Sequence, residues 1–119
     1  MGTNYYVVKK KPTIEEPIHI GKSSYGWLFA FQTQNRYYGD IPVIWNTYPQ
    51  VKKWLKKYTV GENAPYVILN EYDKLVSYEE FIDLVDSKQK DEKNLSNPDN
   101  FNYHTKNING YRFTDGDFS

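Results

Sequence analysis

Tyr25-Gly26-Trp27-Leu28-Phe29-Ala30-Phe31-Gln32 alternates residue by residue, with Tyr25, Trp27, Phe29 and Phe31 on one side and Gly26, Leu28, Ala30 and Gln32 on the other. Successive side chains of an extended chain point to opposite faces, so the stretch predicts a strand with one aromatic face. Upstream, Ile18 and Ile20 alternate with His19 and Gly21 in a second strand, and Tyr5 to Lys10 is aromatic and β-branched like a third. Lys11-Pro12 and Glu16-Pro17 bracket the turn between these two, because proline withholds a ladder hydrogen bond. Three strands joined by short turns predict an antiparallel meander, and its aromatic face requires a cover.

Two amphipathic helices downstream can supply that cover. Asn46 or Thr47 can cap the first, with Pro49 in its first turn, where a missing N–H costs nothing. Val51, Trp54, Leu55 and Tyr58 then fall at i, i+3, i+4 and i+7 in one apolar stripe. Lys52, Lys53, Lys56 and Lys57 occupy other positions, two of them near the end where the helix dipole favours cations. The second helix is announced by a capping box, Ser77 with Glu80, and by Val76 and Phe81 at staple spacing. Its stripe is Tyr78, Phe81, Ile82 and Val85. Between the helices, Tyr66 to Leu69 and Lys74 to Val76 flank Glu71-Tyr72-Asp73 as strand, turn and strand. Gly110 to Phe118 returns to aromatics and predicts a last strand. Residues 87–109 are dense in Lys, Asp and Asn, the composition of an irregular loop or partial disorder. The fold class expected is α+β, a meander or mixed sheet of about five or six short strands under two helices, in one domain over 1–119.

Composition narrows the chemistry. Of 119 residues, 39% are hydrophobic and 18% aromatic, with twelve Tyr and three Trp, so core and surface are both aromatic-rich. Fifteen basic and fifteen acidic residues cancel, which removes the global positive field that non-specific nucleic-acid binding uses. With no cysteine, disulfides, thiol catalysis and cysteine-based zinc or iron–sulfur sites are excluded. The N-terminus lacks an apolar run long enough for a signal peptide, and no stretch approaches a membrane span, so the expected location is the cytoplasm.

Gly21-Lys22-Ser23-Ser24 ends as a Walker A motif ends, but the glycine required five positions earlier is Glu16, and a strand rather than a helix follows. The segment reads as a hairpin turn. His19 and His104 are the only histidines, and a metal site would need carboxylates beside them. His19, between two isoleucines, fits an ordinary half-buried imidazole as well. Ser23 and Ser24 lack nucleophile-elbow spacing, and the pairs Glu15-Glu16, Glu79-Glu80 and Asp115/Asp117 are neighbours rather than opposed carboxylates. The chain is therefore expected to be no enzyme, with no cofactor and no small-molecule substrate. Lys52, Lys53, Lys56 and Lys57, with Tyr37, Tyr38 and Trp45 nearby, could follow a phosphate backbone or form the solvated face of a helix. Within the polar segment, Phe101 and Tyr103 are candidates to grip a partner or to pin the loop to the domain.

Several stretches together resemble a family of small phage and prophage proteins. They are Met1-Gly2-Thr3-Asn4-Tyr5-Tyr6, His19 to Ser24 with Gly26-Trp27 and Phe29, Glu71-Tyr72, Val76-Ser77, Gly110 to Phe113, and Gly116-Asp117-Phe118-Ser119. The likeness covers both ends and the middle but not 32–65 or 87–109. It implies a non-enzymatic inhibitor in the bacterial host's cytoplasm that binds a host anti-phage defence protein, a Sir2-type NADase being the target class. Many relatives carry a CxxC-type knuckle just before the His-Ile-Gly-Lys segment. Lys9 to Glu16 here has no cysteine, so a family zinc site would be lost and His19 would be its remnant. The partner-binding residues expected are Phe101, Tyr103, Tyr37, Tyr38, Lys53 and Lys56, with a nucleic-acid accessory protein or a degenerate zinc domain as alternatives.

Overall fold

The structure is a computed structural model that describes residues 2–11, 16–24, 29–38, 40–90, 105–108 and 111–114. Strand β1 (Gly2–Lys9) pairs antiparallel with β2 (Ile18–Ser24), which pairs antiparallel with β3 (Ala30–Gln32), so the meander is present. Of the alternating stretch that begins at Tyr25, residues 25–28 lie outside the described residues. Phe29 and Phe31 are both buried, as their parity requires.

Gly21-Lys22-Ser23-Ser24 is not a turn. β2 runs through it, with Gly21 opposite Tyr5 on one side and Phe31 on the other. The reason is steric: the space a Cβ would fill at Gly21 is taken by the backbone of β3 and the Phe29 ring. Next to it the ladder slips, because Tyr5 faces Gly21 while Tyr6 faces His19. Ile20 is the extra residue of this β-bulge; Ile18 and Ile20, two apart, are both buried, and the bulge shifts the parity so that Gly21 falls opposite Tyr5.

β1 is flanked on its other side by β6 (Tyr66–Asn70), and β6 by the two-residue edge strand β7 (Leu75–Val76), both antiparallel. On the far side β9 (Tyr111–Thr114) lies parallel to β3, and β8 (Thr105–Ile108) antiparallel to β9. The result is a mixed seven-stranded sheet in the order β7-β6-β1-β2-β3-β9-β8. A separate hairpin joins β4 (Gln34–Tyr38) to β5 (Ile41–Trp45). Within 87–109, where polarity predicts an irregular loop, helix α2 continues to Lys90 and β8 occupies 105–108; 91–104 and 109 lie outside the described residues.

Helix α1 (Tyr48–Thr59) is capped at Thr47, and the Gln50 side chain reaches back to accept from the amides of Asn46 (2.8 Å) and Thr47 (3.2 Å). Helix α2 (Tyr78–Lys90) starts in the expected capping box: Glu80 N donates to Ser77 Oγ at 3.1 Å, and Ser77 N to Glu80 Oε1 at 3.4 Å. Val51, Trp54 and Leu55 of α1 and Phe81 and Val85 of α2 are buried in the core. Phe81 meets Phe29 edge-on at 5.3 Å and Tyr5 at 5.6 Å, while Phe31 stacks on Phe113 at 4.8 Å. Each such ring contributes on the order of 2 kcal/mol through burial. The α+β class expected from the sequence is the class observed. No helix among the described residues is long and apolar enough to cross a membrane.

Candidate interaction surface

The hairpin β4–β5 departs from the main sheet, and two tryptophans fasten it. The Trp45 indole is fully buried and donates to Gln32 O at 2.7 Å, and the Trp54 indole of α1 donates to Pro42 O at 2.7 Å. The two rings meet edge-on at 5.4 Å. Gln34 is buried as well and donates to His19 O at 3.0 Å, so a polar residue at an inward position is satisfied by the main sheet. Arg36 donates to Gln34 Oε1 at 3.1 Å and lies over the Tyr38 ring at 5.1 Å.

These contacts settle the parity of the ribbon. Gln34, Arg36, Tyr38, Val43 and Trp45 share one side, and Asn35, Tyr37, Pro42 and Ile44 share the other. Tyr37 is 68% exposed and Ile44 46% exposed, on the same face and diagonal to one another, since Tyr37 stands opposite Pro42 and Ile44 opposite Asn35. Large apolar groups on a rigid two-stranded ribbon form a surface whose ordering entropy is already spent in folding.

Tyr38 is buried in the core and is not available to a partner. Trp45, considered for base stacking, is fully buried too. Strand parity is the cause, and adjacent tyrosines on one strand cannot both face outward. Lys53 and Lys56 are exposed on α1, three residues apart. Their neighbours Lys52 and Lys57 lie over the rings of Tyr48 (4.7 Å) and Tyr58 (5.2 Å). α1 carries four lysines and no carboxylate, so a local positive field exists within a chain of zero net charge. The Trp54–Pro42 bond holds this helix against the ribbon, which places Tyr37, Ile44 and the lysine helix on one fastened unit. Phe101 and Tyr103 lie outside the described residues. Ile44 was not singled out in the sequence; the signal for it was Ile41-Pro42-Val43-Ile44-Trp45 following the turn residues Gly39-Asp40.

Other polar clusters have structural roles. His19 Nε2 is 2.9 Å from Asn4 Oδ1, and its ring lies 5.1 Å from that of Tyr6. Asn4 donates from N (2.7 Å) and Nδ2 (3.5 Å) to Glu71 Oε1, so its amide oxygen faces the imidazole and Nε2 carries the proton. His104 lies outside the described residues, and among those described no three His, Cys, Asp or Glu gather as metal ligands. Tyr48 OH donates to Asp86 Oδ1 at 2.9 Å, with the Tyr111 ring 4.1 Å from that of Tyr48. Burial first, then the Asp86 hydrogen bond and charge, push the Tyr48 hydroxyl well above its ordinary pKa, and burial with Asp86 raises Tyr111. A phenol shifted upward keeps its proton and acts as a donor, which suits a clamp between α1 and α2.

Compared with protein-family models, curated proteins and solved structures, the chain matches none of them.

Proposed function

We propose that this chain is a phage-encoded, non-enzymatic inhibitor that binds a bacterial anti-phage defence protein in the host cytoplasm, with a Sir2-type NADase as the target class. The observation that carries the binding role is the rigid ribbon with Tyr37 and Ile44 outward. Tyrosine is among the residues that most often anchor interfaces, and one well-buried anchor contributes about 2 kcal/mol or more. The anti-defence role rests on the resemblance carried by Met1 to Tyr6, the His19–Ser24 segment and the Gly110–Ser119 ending.

The test is co-expression with host defence proteins, pull-down, and assay of NAD hydrolysis by a retained NADase. The native chain is expected to retain its target at equal stoichiometry and to suppress hydrolysis. Tyr37→Ala with Ile44→Ala should weaken capture at least about 10-fold without unfolding, since both side chains are exposed. Failure to retain any host protein, or undiminished capture by the double variant, overturns the reading.

The lysines of α1 favour a second reading, a nucleic-acid accessory protein. It expects salt-sensitive binding that Lys53→Glu with Lys56→Glu abolishes. The zero net charge and the stacking of Lys52 and Lys57 on tyrosine rings place it second.

A further inference from the structure

The register of the β6–β7 hairpin determines what the edge of the main sheet offers. Asn70 N donates to Lys74 O and Asp73 N to Asn70 O, each at 3.0 Å, with Asp73 at φ 61°. This is the pattern of a three-residue loop closed by a left-handed residue. Asn70–Lys74 is therefore a hydrogen-bonded pair. Along an antiparallel ladder such pairs alternate with pairs whose amides and carbonyls point away from each other. Leu69–Leu75 is of this second kind, and Ile68–Val76 of the first. Leu69 turns its main chain toward Tyr6 of β1, and Leu75 turns its own toward the outer edge.

Two residues further on, the amide of Ser77 is taken by the Glu80 carboxylate. The edge thus presents the N–H and C=O of a single residue, Leu75, with no partner among the described residues. Its side chain is 64% exposed, and Tyr72 (72%) and Val60 (42%) are the other exposed apolar groups at this end. Beside them is a groove of about 430 Å³ whose lining includes Lys10, Val60, Val67, Leu75, Glu79 and Glu80. Lys10 Nζ is engaged with Glu62 O at 3.3 Å, so Glu79 and Glu80 set the charge at the α2 end.

We infer that β7 pairs with β7 of a second copy of this chain, antiparallel about a two-fold axis at Leu75. An edge of one residue is matched by itself: Leu75 of each copy donates to and accepts from the other, forming two hydrogen bonds. In that register the partner's Lys74 falls opposite Val76, next to the groove end bearing Glu79 and Glu80, and the symmetry repeats this meeting of charges. A foreign strand would have to bring a cation followed by an apolar residue at this spacing, and Lys74-Leu75 of the same chain already does. Pairing also removes an exposed leucine from a sheet edge, where it would invite uncontrolled association.

Sedimentation and directed cross-linking test the dimer. The native chain is expected at twice the 14.1 kDa of one copy, with a Tm that rises with concentration, and Leu75→Lys at a single copy, folded, with a Tm independent of concentration. Because the chain has no cysteine, Leu75→Cys introduces one thiol. Hydrogen-bonded partners have Cα atoms about 5.5 Å apart, within disulfide reach. Mild oxidation should then yield a covalent dimer from Leu75→Cys and little from Tyr37→Cys. A mass of one copy at every concentration, a dimer that survives Leu75→Lys, or equal cross-linking at both positions overturns the inference. So does an edge occupied only when a different protein is added.

Discussion

Gly21→Ala separates a strand interior from a turn at the point where the sequence invites the wrong choice. A methyl group at Gly21 would overlap the carbonyl oxygen of Ala30, and would stand 2.5 Å from Cε1 of Phe29 and 3.0 Å from Cα of Phe31. Carbon atoms prefer about 3.5–4.0 Å, and two of these three obstacles are backbone. The third is held too, since the Phe29 ring packs against Tyr5, Phe31 and Phe81 with centroids 5.9, 4.7 and 5.3 Å away. Relief therefore requires β3 to move away from β2. Overpacking of a fixed site costs about 1–3 kcal/mol, and a disturbed ladder bond adds about 1 kcal/mol. The expected loss is about 3 kcal/mol, a large share of the roughly 5–15 kcal/mol by which domains are stable. With a urea slope near 2 kcal/mol/M, the unfolding midpoint should fall by about 1.5 M. Gly61→Ala is the contrast: nothing crowds that position, but φ is +106°, and the expected loss is the backbone strain alone, about 1 kcal/mol. A Gly21→Ala loss no larger than about 1 kcal/mol would refute the close approach of β2 and β3.

Trp54→Phe keeps an aromatic side chain but removes the 2.7 Å bond to Pro42 O and part of the buried ring volume; it should cost about 2–3 kcal/mol and raise amide exchange in β5. The Tyr48 hydroxyl has a folded pKa above its unfolded value near 10, so its contribution is full below that pH and lost as pH rises through the folded value. Melting curves from about pH 8 to about pH 11 should show a decline of up to about 1.4 kcal/mol per pH unit from this group, and Tyr48→Phe should flatten it. Asp73 sits at φ 61°, where glycine is unstrained, so Asp73→Gly should raise stability by about 0.5 kcal/mol in chemical denaturation. A drop instead would show that the aspartate side chain holds the turn.

Where a physical signal was local, the sequence disclosed it. Ser77 and Glu80 mark α2 because a capping box needs only four residues, and Val51, Trp54, Leu55 and Tyr58 mark α1 by period alone. The ribbon β4–β5 carries no strand signal in the polar Gln34-Asn35-Arg36; Gln34 is an inward residue because His19 O receives its amide. That acceptor is fifteen residues away in the chain and across the fold. Tyr37 and Tyr38 illustrate the same gap, because composition suggests two sticky tyrosines and only the register shows that one is core. At Gly21-Lys22-Ser23-Ser24 the glycine suggested a turn, whereas its lack of a side chain serves the Phe29 ring. The polar run after Ser87 concealed β8, whose ladder partner is β9.

The parallel pairing of β3 with β9 constrains synthesis as well as architecture. Gln32 and Thr114 are 82 residues apart in the chain, yet Gln32 Nε2 donates to Thr114 O and Phe31 stacks on Phe113. On a ribosome making about 5–20 residues per second, β3 emerges several seconds before its neighbour. During that interval the aromatic edge at Phe31 lacks the strand that covers it, so the nascent domain can gather β1, β2 and α1 but cannot close. A chain stalled before Tyr111 is thus a natural client for a chaperone, and an insertion between β3 and β9 lengthens the exposure.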